Sequence, residues 1–325
     1  MKKIIVIICL CFSATFYGQI DFEEIVNVNS VDAQRFLSGY LQPIPRGFGN
    51  GLSSGWYNTA KAHKLFGIDI SVIANMSLIP EEGETFTFRN SDYSSAIQLD
   101  NSNISEANLP TILGSKDLSD RPLIRYTDSN GSISVSALPG FREDVKSTIG
   151  FNAVPSAIIQ VGVGLWKNTD LKVRFIPEID SNGNSASAFG IGVMHDIKQW
   201  IPFVKRLPID VSIFAGYTNL KSTVLLDEDN NPDELVNFNT NSMTYQLLLS
   251  KKLSILTIYG GLGTTSYNSD IEIRGYSSDL DFGFDGNSFR ANAGLRFKLA
   301  FLDISAEYAL QEYDVFSARV GFSIR

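Results

Sequence analysis

FRANAGLRFKLAFLDISAEYALQEYDVFSARVGFSIR, residues 289–325, holds three amphipathic segments in a row. In the first, Phe289, Ala291, Ala293, Leu295, Phe297 and Leu299 alternate with Arg290, Asn292, Gly294, Arg296 and Lys298. A tight turn at Ala300 and Phe301 leads to Leu302, Ile304, Ala306, Tyr308 and Leu310, interleaved with Asp303, Ser305, Glu307, Ala309 and Gln311. The last segment sets Phe316, Ala318, Val320, Phe322 and Ile324 against Ser317, Arg319, Gly321 and Ser323. Successive side chains of a strand point to opposite faces, so each set has a face of its own. Strands of about ten residues with one apolar and one charged face are the pattern of a transmembrane β-barrel. The spacing therefore predicts an all-β fold, a transmembrane antiparallel β-barrel. A soluble β-sandwich has no need of three strands that alternate so regularly and carry charge on the second face.

The same alternation recurs upstream. Phe66, Ile68, Ile70, Val72, Ala74, Met76 and Leu78 make a first strand, which Pro80 ends. Strands are also predicted over 157–165, 171–175, about 185–194, 209–217, 238–250 and 253–265, with turns at 166–170, 180–183 and Lys251-Lys252. That makes ten strands, and weaker segments within 81–146 extend the range to 10–14. The long polar connections 81–146, 220–236 and 266–286 fall at one end and the short turns at the other, as in outer-membrane barrels, where the long loops are external. Within 81–146 one hairpin is predicted, Leu123–Tyr126 with Ser132–Val135 about an Asp-Ser-Asn-Gly turn at 128–131.

The N-terminal end has another character. Lys2 and Lys3 precede an apolar run over 4–12 and small or polar residues up to Gly18, the order of a cleaved secretory signal peptide over 1–18. Cys9 and Cys11, the two cysteines of the chain, both fall inside it, so the remainder has no thiol chemistry. After it no apolar run is long enough for a spanning helix, so residence in a membrane must come from strands. The net charge of −8 argues against nucleic acid as a partner. The expected location is the cell outer membrane, with membrane lipid and lipopolysaccharide as surroundings.

Residues 19–64 are predicted to form a short helical plug ahead of the barrel, 65–325. Ser30 can cap a helix over 31–41, whose Ala33, Phe36, Leu37, Tyr40 and Leu41 share one face. Pro43 and Pro45 are expected to end it. The glycine-rich stretch from Gly47 to Gly55 then suits backbone packed tightly against its surroundings; it lacks the Lys-Ser/Thr that closes a phosphate loop. The plug is expected on the periplasmic side.

Candidate functional residues follow from this frame. Phe48, Trp56, Tyr57 and Asn58 would present ligand-binding groups from plug to lumen. With a two-residue turn at Ala300–Phe301, Lys298 faces Asp303; with the last two apolar sets aligned, Glu307 can face Arg319. Pro177 cannot donate to a ladder, which makes it a candidate lateral opening in the wall. His195 and Asp196, being adjacent, point to opposite faces and make no dyad, and His63 stands alone where plug meets strand. No catalytic residues are identified, and neither enzyme activity nor a metal or other cofactor is expected. The acidic stretch 227–234 has the alternation of a calcium loop but Pro232 where the glycine belongs, and is read as a solvated external loop. Tyr217, Tyr245, Tyr259, Tyr308 and Tyr313 are candidates for an aromatic belt.

Gly55-Trp56-Tyr57-Asn58-Thr59-Ala60, running into Leu65-Phe66-Gly67-Ile68-Asp69, resembles the aromatic-Asn-Pro-Ala signature before the first strand of long-chain fatty acid transporter-type barrels. The likeness departs at Thr59, where that signature has proline. Over 47–63, 164–177 and 195–217, and more loosely over most of the chain, the sequence is similar to an uncharacterised family of Gram-negative outer-membrane barrels. The transporter resemblance implies a lumen filled by an N-terminal hatch and a side opening for hydrophobic substrates. The expected function is a passive channel or transporter for small hydrophobic compounds. The competing expectation is a non-transporting surface anchor or secretion accessory whose loops bind an unidentified protein.

Overall fold

In a computed structural model the chain is described at residue 25 and from 30 to 324, apart from 129–130, 182, 203, 228–230 and 276–278. The leader over 1–18 lies outside the described residues, as do the side chains of 226–233 in the acidic stretch. Two helices come first, α1 (Ser30–Leu41) and α2 (Pro43–Leu52). Strand β1 (Ile68–Leu78) is followed by β2 (Thr85–Arg89), β3 (Ile97–Leu99), β4 (Glu106–Pro110), β5 (Leu123–Asp128), β6 (Gly131–Ser136) and the helix α3 (Arg142–Ile149). Then come β7 (Ala153–Leu165), β8 (Thr169–Ser181), β9 (Asn184–Asp196), β10 (Asp210–Asp227), β11 (Asn231–Leu253), β12 (Leu256–Arg274), β13 (Leu280–Leu299), β14 (Leu302–Leu310) and β15 (Val315–Ile324).

Strands β1 and β7 to β15 close into a ten-stranded antiparallel barrel, with β1 hydrogen-bonded to both β7 and β15. The closing ladder runs from Ile68↔Ile324 to Ser77↔Val315. Closure leaves no free edge, which is what a strand protein needs in lipid, where an unpaired backbone group has no water to turn to. The apolar sets face outward: Ile70, Val72, Leu295, Phe297, Ile304, Val320 and Phe322 are about half exposed, while their sequence neighbours line the lumen. Tyr217, Tyr245 and Tyr308 join this outer face, but Tyr259 and Tyr313 are buried, the first against Tyr57 and the second in an apolar core at the long-loop end.

Three sequence-based boundaries move. The turn expected at Lys251-Lys252 sits three residues later, at Ser254-Ile255 with Ser254 at φ 59, and both lysines pair in the ladder with Ile258 and Thr257. The connections 220–236 and 266–286 are continuations of the β10–β11 and β12–β13 hairpins, in unbroken register from the wall to Leu225↔Leu235 and Ile273↔Leu280. Their Asn, Ser and Asp content looked like loop, but the ladder persists because their inward positions, Leu220, Val236, Ile271, Ile273, Leu280 and Phe282, are buried and apolar. Residues 81–149 are not a polar loop but a folded cap: sheets β2–β4 and β3–β5–β6 with α3 beside them. The β5–β6 hairpin pairs from Leu123↔Ser136 to Asp128↔Gly131.

The cap packs on α1. Phe36 meets Phe86 and Phe88 edge-on, and Ile97, Leu99, Leu109, Ile112 and Ile124 complete a core continuous with the inner faces of the two long hairpins. The Tyr40 hydroxyl donates to the Pro139 carbonyl at 2.8 Å, and burial pushes its pKa up, keeping it a donor. Helix α1 thus lies at the long-loop end, the end opposite the one at which the sequence places the plug. From there the chain descends through the lumen and reaches β1 at the short-turn end.

Candidate functional site

Helix α2, PIPRGFGNGL, has three glycines and two prolines, so propensity alone argues against it. The prolines occupy its first turn, where a missing N–H breaks no helical bond: α1 ends at Leu41 ahead of them, as expected, and they begin a second helix. The glycines are there because the lumen is narrow. A Cβ on Gly47 would lie 2.4 Å from the Val154 side chain, and one on Gly49 would lie 2.2 Å from the Tyr267 ring. Around this helix the upper lumen is apolar: Phe48 and Leu52 pack with Val154, Ile158, Ala188 and Leu220.

Below α2, residues 53–63 run irregularly, through a series of bends, and are tied to the wall on many sides. Ser77 on β1 and Ser242 on β11 donate to the carbonyls of Gly47 and Gly49, at 2.6 and 2.7 Å. Gln160 on β7 donates to the Trp56 carbonyl. Arg174 on β8 donates to the carbonyls of Leu52 (3.1 Å) and Ser54 (2.8 Å) and to Gln160 Oε1 (2.8 Å), with its guanidinium 3.6 Å from the Trp56 ring centre. Such stacking is stronger where the cation is desolvated, and Arg174 is fully buried. The Trp56 indole fills a notch: Gly192 and Gly216 are directly paired on β9 and β10, and a Cβ on either would come within 2.9 Å of it. The Tyr57 hydroxyl lies between the amides of Gln246 and Asn292, and Asn58 Nδ2 donates to Asp303 Oδ1 at 2.8 Å. Ser212 and Ser250, from β10 and β11, hold the two backbone groups of Ala60.

Phe48, Trp56, Tyr57 and Asn58 are therefore all brought into the lumen, and their partners are the plug's own walls. A valine at Gly216 is expected to overpack the notch and destabilise the protein by about 1–3 kcal/mol. Chemical unfolding in detergent micelles should show that loss. W56A placed on top should remove less stability than it does in the wild-type chain, because the clash goes with the indole.

The lower lumen carries charge. Arg290 Nη2 pairs with Glu307 at 2.8 Å, Arg296 with Asp303 at 2.9 Å and Arg319 with Asp69 at 2.6 Å. His63 Nδ1 meets Asp170 at 2.8 Å while its backbone N–H donates to the same carboxylate, and Lys172 lies 3.7 and 3.9 Å from Asp170 and Asp69. All of these side chains are at least nine-tenths buried. The register does set Lys298 opposite Asp303, but Lys298 turns to the Ser323 carbonyl at 3.0 Å and Asp303 goes to Arg296 and Asn58. Glu307 stands opposite Ser317, not Arg319. His63, Asp69, Asp170, Lys172, Arg296, Asp303 and Arg319 border a polar pocket in which the centre of a water has about 10 Å³ to move. That is room for about one water molecule.

Sequence reasoning passed over Arg174, Lys172, Asp170, Gln160 and the Gly192–Gly216 pair. A signal was present: Asp170, Lys172 and Arg174 alternate with Leu171, Val173 and Phe175, which is charge on one face of a spanning strand. At Pro177 the wall changes. The β7–β8 ladder runs from Leu165↔Thr169 only to Ile159↔Phe175, whereas β8 stays paired with β9 up to Ser181↔Asn184 across a register shift between Ile176 and Ile179. His195, at the short-turn end, bonds to Thr169 and accepts from the Trp200 indole at 3.0 Å.

A model of a protein family of unknown function, DUF6588, matches residues 1–324. The chain belongs to that family. No curated protein matches it. Among solved structures it is similar to the translocator domain of the autotransporter NalP from Neisseria meningitidis, at 10% identity over 81% of this chain and 90% of that one, with a TM-score of 0.33. It is also similar to the outer membrane protease OmpT from Escherichia coli, at 8% identity over 81% and 99%, with a TM-score of 0.34. For the β domain of the Bordetella autotransporter BrkA the values are 10%, 80%, 100% and 0.35.

Proposed function

We propose that this protein is an outer-membrane barrel held shut by its own N-terminal segment, serving as a non-conducting anchor for the cap at its long-loop end. The observation that carries this reading is the occupancy of the lumen over its height. Residues 43–63 bond to β1, β7, β8, β10, β11, β13 and β14, and alongside residues 54–63 four carboxylates are matched by buried cations. Buried charges left without partners are expensive, so a segment that satisfies them is held firmly in place. Export through a cleaved leader and an outward-facing cap complete the reading, with a protein partner as the ligand of the cap.

A second reading, transport of small hydrophobic compounds as in fatty acid transporter-type barrels, draws on the wall break beside Pro177 and the apolar upper lumen around Phe48. The two differ in whether the plug moves. Thr59 Oγ1 and Ser250 Oγ are 3.2 Å apart, and T59C/S250C would tie plug to wall in a barrel without other thiols near. Purified protein in planar bilayers is expected to show no conductance steps, oxidised or reduced. Proteoliposomes should take up a fluorescent fatty acid no faster than protein-free vesicles. Uptake that the oxidised lock stops and a reductant restores would overturn the anchor and establish transport.

A further inference from the structure

We infer that the outward face of the β10–β12 wing, just beyond the lipid-facing belt, binds the saccharide portion of the glycolipid in the outer leaflet. On β10 and β11 the outward positions pass from Tyr217 and Met243 to Asn219, Lys221 and Thr223 on one strand and Asn241, Asn239 and Asn237 on the other, ahead of the Leu225↔Leu235 pair. The inner side of the same strands is apolar and packed towards α1, so the outer face is rigid and its amides are pre-positioned.

The amides are also oriented. Asn219 Nδ2 donates to Asn239 Oδ1 at 2.8 Å and to Asn241 Oδ1 at 2.9 Å, the Tyr217 hydroxyl donates to Asn241 Oδ1 at 2.6 Å, and Thr223 donates to Asn237 Oδ1 at 2.8 Å. With all three β11 carbonyls engaged, the Nδ2 groups of Asn237, Asn239 and Asn241 are the remaining hydrogen-bonding ends, and they donate to no described residue. They recur every second position, about 6.8 Å apart along the strand. On the neighbouring strand Asn268 stands opposite Asn241, and Asp270 opposite Asn239, both exposed. A row of donors thus lies about 5 Å from a row of acceptors. A sugar hydroxyl donates and accepts at once and can bridge the two rows. A phosphate can only accept; it would meet Lys221, opposite Asn239, but also the carboxylate of Asp270 beside the same asparagine. The face continues directly from the lipid-facing belt, which commits it to a lipid-linked saccharide rather than a free glycan. The inference depends on the long-loop end facing outward but not on whether the lumen conducts.

The test is calorimetric titration of the full chain in detergent micelles with the oligosaccharide released from lipopolysaccharide by mild acid, and separately with lipid A. Saturable binding of the oligosaccharide is expected, weakened at least tenfold in N239A/N241A and unchanged in K251A, an exposed change at the short-turn end of β11, ten residues from Asn241. D270A, an exposed change on the next strand, should weaken binding in the same way and covers the case in which the double variant folds poorly. Equal binding by wild type and both variants, or binding of lipid A alone, would overturn the inference. Cleavage of the cap by protease added to intact cells reports the orientation separately, so an inverted barrel is distinguishable from a face that does not bind sugar.

Discussion

R174A is expected to be among the most destabilising single changes in the barrel, lowering its unfolding free energy by about 3–5 kcal/mol. Arg174 is fully buried and makes three hydrogen bonds besides its stack on Trp56. Truncation leaves the carbonyls of Leu52 and Ser54 and the Gln160 side chain with an unmet acceptor each, and a buried acceptor without a donor costs about 1–3 kcal/mol. A lysine in its place keeps the charge but cannot present a planar fork to two carbonyls and an amide while lying flat on an indole. R174K should therefore recover only part of the loss. Denaturant unfolding in micelles measures both variants, and limited proteolysis within 53–63 reports whether the plug loosens first. An R174A protein that unfolds at the wild-type midpoint would show that the guanidinium holds nothing.

How far the fold could be read from the chain varied with the physics involved. Alternation in β1 and β13–β15 was legible because one face meets lipid and the other a polar lumen, so every second residue is constrained. The Ala300 turn and the Lys298↔Asp303 register followed from that pattern alone. Helix α2 was not legible. Its sequence is shaped by the clearance to Val154 and Tyr267 rather than by helix propensity, and that clearance belongs to strands more than a hundred residues away. The cap was hidden for a similar reason: its strands are three to six residues long, and its apolar core is shared with α1 and two hairpins instead of forming within 81–149. Charges on the last three strands were placed on the lumen face from sequence, but their pairing was not. Partner choice depends on how an arginine lies along the strand direction and on carboxylates contributed by β1 and β8.

The same dependence says what the charges are for. Asp69 sits at the foot of the plug, opposite Ser323 in the closing ladder, and draws Arg319 down from its place opposite Ile73. The pair joins both sides of the barrel seam to the residues that end the plug, since His63 Nε2 lies 3.5 Å from the same carboxylate. D69N keeps the shape and removes the charge, leaving Arg319 without the carboxylate it pairs with and Lys172 with Asp170 alone. Breaking a buried pair by removing one partner costs about 3–5 kcal/mol, and D69N is expected to fall in that range. R319M alone leaves Asp69 with Lys172 and His63, so it should be milder. D69N/R319M removes both charges, and its loss should fall short of the sum of the single losses by about 1–3 kcal/mol. Unfolding of the four proteins in the same micelles gives the coupling. Additive losses would mean that the pair does not lock plug to seam, and that the lumen charges instead stand independently, as they would along an ion path.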